Sequence, residues 1–162
     1  SSSSAIDLDF RKIFEIGDIV VLDDQVDVGA KNIRQIAALY TGINSGFEEI
    51  WSVVDRIMEQ NSCTFIDGQS SQAQALEESY NQKITKEEEE EGTETTNTTT
   101  NNKYYYLKAS NNTTFFNKRR ADIYYNGKKI GVFGILHPNV LNAYKLQLYP
   151  ISALQINLQD LL

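Results

Sequence analysis

The chain has 162 residues, a hydrophobic fraction of 41% and a formal net charge of −7, the dimensions of one domain able to bury its own core. A single cysteine, Cys63, and a single histidine, His137, exclude an internal disulfide and leave too few nitrogen and sulfur ligands for a zinc site. No apolar run approaches the roughly 18 residues that span a bilayer, and Ser1 to Ser4 lacks the regions of a signal peptide, so a soluble cytoplasmic chain without membrane contact is expected.

Residues 1–9 read as linker or cloning remnant. Ile13 to Ile16 and Ile19 to Leu22 are apolar runs separated by Gly17-Asp18, and Ile33 to Tyr40 is a third, as strands of an antiparallel sheet would be. The carboxylate pairs Asp7 with Asp9 and Asp23 with Asp24 fall in loops without desolvating neighbours, so they read as turn and surface residues rather than a general acid and base. Phe47, Ile50, Trp51, Val54, Ile57 and Met58 recur at helical spacing. Ser45 stands as N-cap with Glu48 three residues on, as in a capping box. The stripe suits a core-facing side or a face meeting a partner helix, and Asp55 and Arg56 point away from it.

Residues 68–102 differ in composition. Five glutamates at Glu87 to Glu91 precede a run of Glu, Thr and Asn from Thr93 to Asn102, which offers almost nothing to bury. A disordered low-complexity insert is expected, solvated rather than cation-binding. The spacing of Ala73, Leu76, Tyr80 and Ile84 would allow a short helix ahead of the acidic run. Asn97 and Asn112 begin Asn-x-Thr sequons, which carry chemical meaning only in a secreted protein.

The last third supplies further strands at Tyr104 to Leu107, Ala121 to Tyr125, Ile130 to Leu136 and Ala153 to Leu158, with Asn126-Gly127 a tight hairpin turn. Gly131 and Gly134 interrupt an apolar strand, where a missing side chain marks a bulge or a close approach by another backbone. Their spacing is not that of a phosphate loop. Pro138 suits the first position of a second helix and leaves His137 just before it, a capping or hydrogen-bonded histidine. His137 would be a catalytic base only with Cys63 or a serine folded beside it.

Lys118-Arg119-Arg120 beside Phe115-Phe116 has the composition of a single-stranded RNA contact, cations for phosphate and rings for bases. The alternative is a hairpin whose phenylalanines plug the core and whose cations lie at the surface. Charge is unevenly spread: residues 1–67 carry 5 basic and 12 acidic side chains, residues 68–102 carry 2 and 8, and residues 103–162 carry 8 and 2. The basic last third could therefore meet RNA or an acidic partner, or pair with the acidic tract of its own chain.

Several segments together resemble one family. Lys12-Ile13-Phe14-Glu15-Ile16-Gly17-Asp18, Val28-Gly29-Ala30-Lys31-Asn32, Ser45-Gly46-Phe47-Glu48 with Val54-Asp55-Arg56-Ile57-Met58, Phe115-Phe116 before Arg119, Gly131-Val132-Phe133-Gly134-Ile135-Leu136-His137-Pro138, and Ser152-Ala153-Leu154-Gln155-Ile156-Asn157 are similar, in order, to the β subunit of phenylalanyl-tRNA synthetases of the eukaryotic and archaeal cytosolic type. The likeness covers nearly everything outside residues 68–102. Asn117, Lys118 and Gln155 depart from the family's proline, glycine and glutamate.

The resemblance implies an α+β fold over residues 10–162, an antiparallel β-sheet flanked by helices, as part of a catalytically inactive copy of the class II aminoacyl-tRNA synthetase core, interrupted by the 68–102 insert. It implies no catalytic, cofactor-binding or metal residue in this chain. The Gly-x-Gly-x-Gly-x-x-Arg motif of the active site is missing, and Arg11, near a motif-two strand, lacks the accompanying pattern of an ATP ligand. By the same resemblance ATP, Mg and phenylalanine bind the α subunit, and this module packs against it in an (αβ)₂ heterotetramer that takes tRNA(Phe). Phe47, Trp51, Val54 and Phe133 are the expected subunit-interface residues, since large aromatic anchors dominate such contacts. Lys118, Arg119 and Arg120 are the candidate RNA contacts of the rival reading, a self-standing RNA-binding module.

Overall fold

The computed structural model describes residues 11–22, 30–42, 46–89, 102–145 and 150–161. Its strands are β1 (Arg11–Leu22), β2 (Ala30–Thr41), β3 (Thr64–Phe65), β4 (Tyr104–Ala109), β5 (Phe115–Tyr125), β6 (Lys128–Leu136) and β7 (Ile151–Asn157), and its helices are α1 (Phe47–Gln60), α2 (Ser71–Glu89) and α3 (Pro138–Ala143). The strands form one seven-stranded sheet in the order β1-β2-β7-β6-β5-β4-β3. Every pairing is antiparallel except the short one between β3 and β4. The expected α+β arrangement of sheet and helices is thus present.

Gly17-Asp18 does not divide β1 as the sequence suggests. All of β1 pairs in register with β2, Gly17 opposite Gln35 and Asp18 opposite Arg34. Arg34 Nε donates to Asp18 Oδ1 at 3.0 Å, a cross-strand charge pair that holds the strand through the glycine. The turn at Asn126-Gly127 has φ of 44° and 91°, the two positive values that a type I′ hairpin requires. A Cβ on Gly131 would overlap the Gln155 carbonyl of β7, and one on Gly134 the Arg119 carbonyl of β5. Both glycines therefore serve close backbone approach.

Cross-strand partners share a face, and α1 covers the face that carries Ala38, Leu154, Ile156 and Phe133. It lays Ile50, Val54 and Met58 into that core. Gly46, at φ 69°, occupies its N-cap position without a side-chain hydrogen bond; Ser45, the expected cap, lies outside the described residues.

The expectation of disorder over residues 68–102 is overturned for its first half. Ser70 Oγ accepts from Ala73 N at 3.2 Å, capping α2, and Ala73 is fully buried. Helix α2 runs on the sheet face opposite α1, beside β4, and its Leu76 carbonyl rests against the β5–β6 turn where only glycine fits at Gly127. The compositional signal failed because one buried alanine, a cap and a few side-chain bonds anchor a helix that is otherwise polar. Residues 90–101, with most of the low-complexity run, lie outside the described residues.

Candidate functional site

Three aromatic rings mark the contact of α1 with the sheet. Phe47 stacks on Phe133 at 5.4 Å between centroids, and Trp51 meets Phe47 edge-on at 6.0 Å and Phe133 at 6.1 Å. Phe133 and Val54 are both fully buried. Of the residues expected at a subunit interface, Phe133 and Val54 are core residues, because the sheet takes up that side of the helical stripe. Trp51 remains 39% exposed and Phe47 half-buried.

The larger apolar surface lies elsewhere. Strand β7 pairs only with Gln35 to Thr41 of β2, so the far half of β2 and its β1 partners project beyond the rest of the sheet as a two-stranded arm. On the α1 side of β1, Phe14 is 56%, Ile16 67% and Val20 70% exposed, Phe14 and Ile16 opposite the part of β2 that pairs with β7 and Val20 on the arm itself. On the opposite side Ile13, Ile19 and Leu39 are exposed as well. β1 is the sheet's edge, so half of its backbone N–H and C=O groups face outward without a strand partner. The signal was readable: β1 has apolar residues at both odd and even positions, the mark of a strand covered on both faces, yet among the described residues those side chains stand exposed.

The basic segment behaves as two parts. Arg120 is tied down, its Nη1 donating to the carbonyls of Asn112 at 2.8 Å and Phe115 at 3.3 Å. Lys118 and Arg119 are exposed and, among the described residues, form no ion pair. Phe115 plugs the core while Phe116 stays 44% exposed, its ring 6.1 Å from that of His137. His137 Nδ1 accepts from Asn139 N at 3.2 Å and caps α3, the capping histidine expected before Pro138. Cys63 lies near the opposite end of β5, beyond α1, so no cysteine–histidine pair exists. Burial raises the Cys63 thiol pKa above its ordinary value, against a weaker lowering by Lys103.

A polar network docks α2. Tyr106 Oη donates to Glu77 Oε1 at 2.9 Å and Lys108 Nζ to the same oxygen at 2.6 Å, while Lys108 also lies 5.5 Å from the Tyr124 ring centroid. Asp122 stands opposite Lys108 across β4–β5 and reaches Lys129 Nζ at 3.0 Å. Burial first, then the bond to Glu77, pushes the Tyr106 phenol well above its ordinary pKa; burial and Asp55 do the same to Tyr105. Each phenol donates to a helix carboxylate, Tyr106 to Glu77 of α2 and Tyr105 to Asp55 of α1. Among the described residues no group of three or more His, Cys, Asp or Glu is placed to hold a metal, and no helix is long and apolar enough to cross a membrane.

Residues 7–158 match the family model described as the phenylalanyl tRNA synthetase beta chain CLM domain. The cytoplasmic phenylalanine–tRNA ligase beta subunit of Arabidopsis thaliana is 38% identical over 152 residues, covering 93% of this chain and 21% of that protein. The human phenylalanine–tRNA ligase beta subunit is 35% identical over 146 residues, covering 90% and 19%. The chain thus spans about a fifth of the length of the curated relatives it matches. Among solved structures, an aspartyl tRNA synthetase from Entamoeba histolytica aligns with a TM-score of 0.44 at 11% identity over 91% of this chain and 43% of that one, a distant likeness from which no property is taken. With 7–158 matched end to end, the chain belongs to the phenylalanyl tRNA synthetase beta chain CLM domain family.

Proposed function

We propose that this chain is a non-catalytic structural and subunit-interface module of a cytoplasmic phenylalanine–tRNA ligase, built like a class II core but docking on the alpha subunit that holds ATP, Mg and phenylalanine for transfer to tRNA(Phe), in an (αβ)₂ heterotetramer. The observation that carries the reading is the open edge strand β1, whose exposed Phe14, Ile16 and Val20 form an apolar strip on one face, interrupted by the Asp18–Arg34 pair. Soluble monomers seldom leave such a strip and such an edge bare together.

The test is size-exclusion co-elution of the chain with the alpha subunit of the same organism. Ile16→Asp buries a carboxylate in the proposed contact and should weaken association by about 30-fold or more, the range of an interface hot spot. Co-elution undiminished by Ile16→Asp would remove β1 from the interface. Absence of co-elution by the folded wild-type chain would assign β1 to another segment of a longer polypeptide.

A further inference from the structure

We infer that the tip formed by Phe116, Lys118, Arg119 and His137 is a binding platform for a short single-stranded polynucleotide, a function separate from the proposed alpha-subunit contact. The strand order places it far from β1. Between Phe115 and Arg120 the β5–β6 register shifts, so four consecutive residues, 116–119, leave the ladder with their side chains exposed. The surroundings hold this bulge in shape. Thr114 N donates to Asn112 Oδ1 at 3.0 Å, His137 N to the Thr114 carbonyl at 2.8 Å, and Arg120 clamps two carbonyls from within. A preordered surface loses little entropy on binding.

Two features set the tip apart from an ordinary charged loop. First, Phe116 is presented outward beside the His137 ring at 6.1 Å with 32° between planes, so a base stacked on the phenylalanine would find a second ring at its edge. Aromatic platforms of this kind accept any base, since each has a π-face. Second, Lys118 adopts φ of 62°, a left-handed conformation that is strained for any residue with a Cβ and relaxed for glycine. A strained lysine in the bulge projects a cation there at the expense of stability, and backbone strain of this sort gathers at functional positions. Lys118 and Arg119 have no anionic partner among the described residues. Both lie in the same exposed bulge as the Phe116 ring, cations for phosphate beside a face for a base.

An eight-residue oligoadenylate carrying a fluorescent label serves as the probe, titrated by anisotropy at several salt concentrations. Phe116→Ala should lower its affinity about tenfold or more, the usual loss for one stacked base. Lys118→Gly should reduce the salt slope by about 0.7, the value for one phosphate on a single strand, and at the same time raise the melting temperature by releasing the strained backbone. That opposition separates a binding role from a structural one, since a merely structural lysine would show no loss. Unlabelled polyglutamate should compete far less well than oligoadenylate. The inference is overturned if the chain does not bind the probe at low salt, if Phe116→Ala leaves affinity unchanged, or if polyglutamate competes equally, which would reveal a surface for acidic protein instead.

Discussion

The two ends of the sheet are finished in opposite ways. At the β4–β5 end, α2 lies across the face, Gly127 accepts its backbone, and Glu77, Tyr106, Lys108 and Asp122 link helix to strands. At the other end the edge strand β1 and its large apolar residues stand in the open among the described residues. One sequence therefore closes one margin of the sheet with its own elements and leaves the other for something else. The difference teaches that apolar content alone does not locate a docking surface. The helical stripe on α1 is as apolar as β1, yet its sheet-facing residues are consumed by the core.

That contrast can be broken by substitution. Phe133→Ala removes a fully buried ring and its contacts with Phe47 and Trp51, and should cost about 3–5 kcal/mol in chemical denaturation, a loss of fold rather than of one contact. Glu77→Ala leaves the Tyr106 hydroxyl with only the Ala73 carbonyl at 3.5 Å and frees Lys108. About 1–3 kcal/mol is expected, seen as lower stability and as faster proteolysis within α2. Ile16→Asp, made to weaken partner binding, should change the stability of the free chain by no more than about 0.5 kcal/mol, the range of surface sites. Were Ile16→Asp as destabilising as Phe133→Ala, the bare end would be core of this chain and the contrast would collapse.

Much of the fold was legible in the sequence. The 3.6-residue spacing of Phe47, Ile50, Val54 and Met58 marks α1, Asn126-Gly127 marks its turn, and Pro138 marks α3. Gly131 and Gly134 announce close strand packing because only backbone fits beside them. Two features escaped. Helix α2 was hidden because its docking rests on a few long-range partners, Glu77 with Tyr106 and Lys108, which no local pattern contains. The burial of Val54 and Phe133 was hidden because periodicity shows that they belong to apolar surfaces but not whether those surfaces face each other or a partner. At the basic tip, composition treats Lys118, Arg119 and Arg120 alike, and only the geometry separates Arg120, bound to two carbonyls, from Lys118 and Arg119, which form no ion pair among the described residues.

Hydrogen–deuterium exchange of the chain, alone and with the alpha subunit, tests the docking end most directly. In the free chain the outward-facing amides of β1 should exchange rapidly, since they have no strand partner, while those of β5, β6 and β7 stay protected. With the alpha subunit present, β1 should gain the largest protection and α2 should be unchanged. Protection confined to α2 or the helix side of Trp51, with β1 still exchanging freely in a demonstrated complex, would contradict the account.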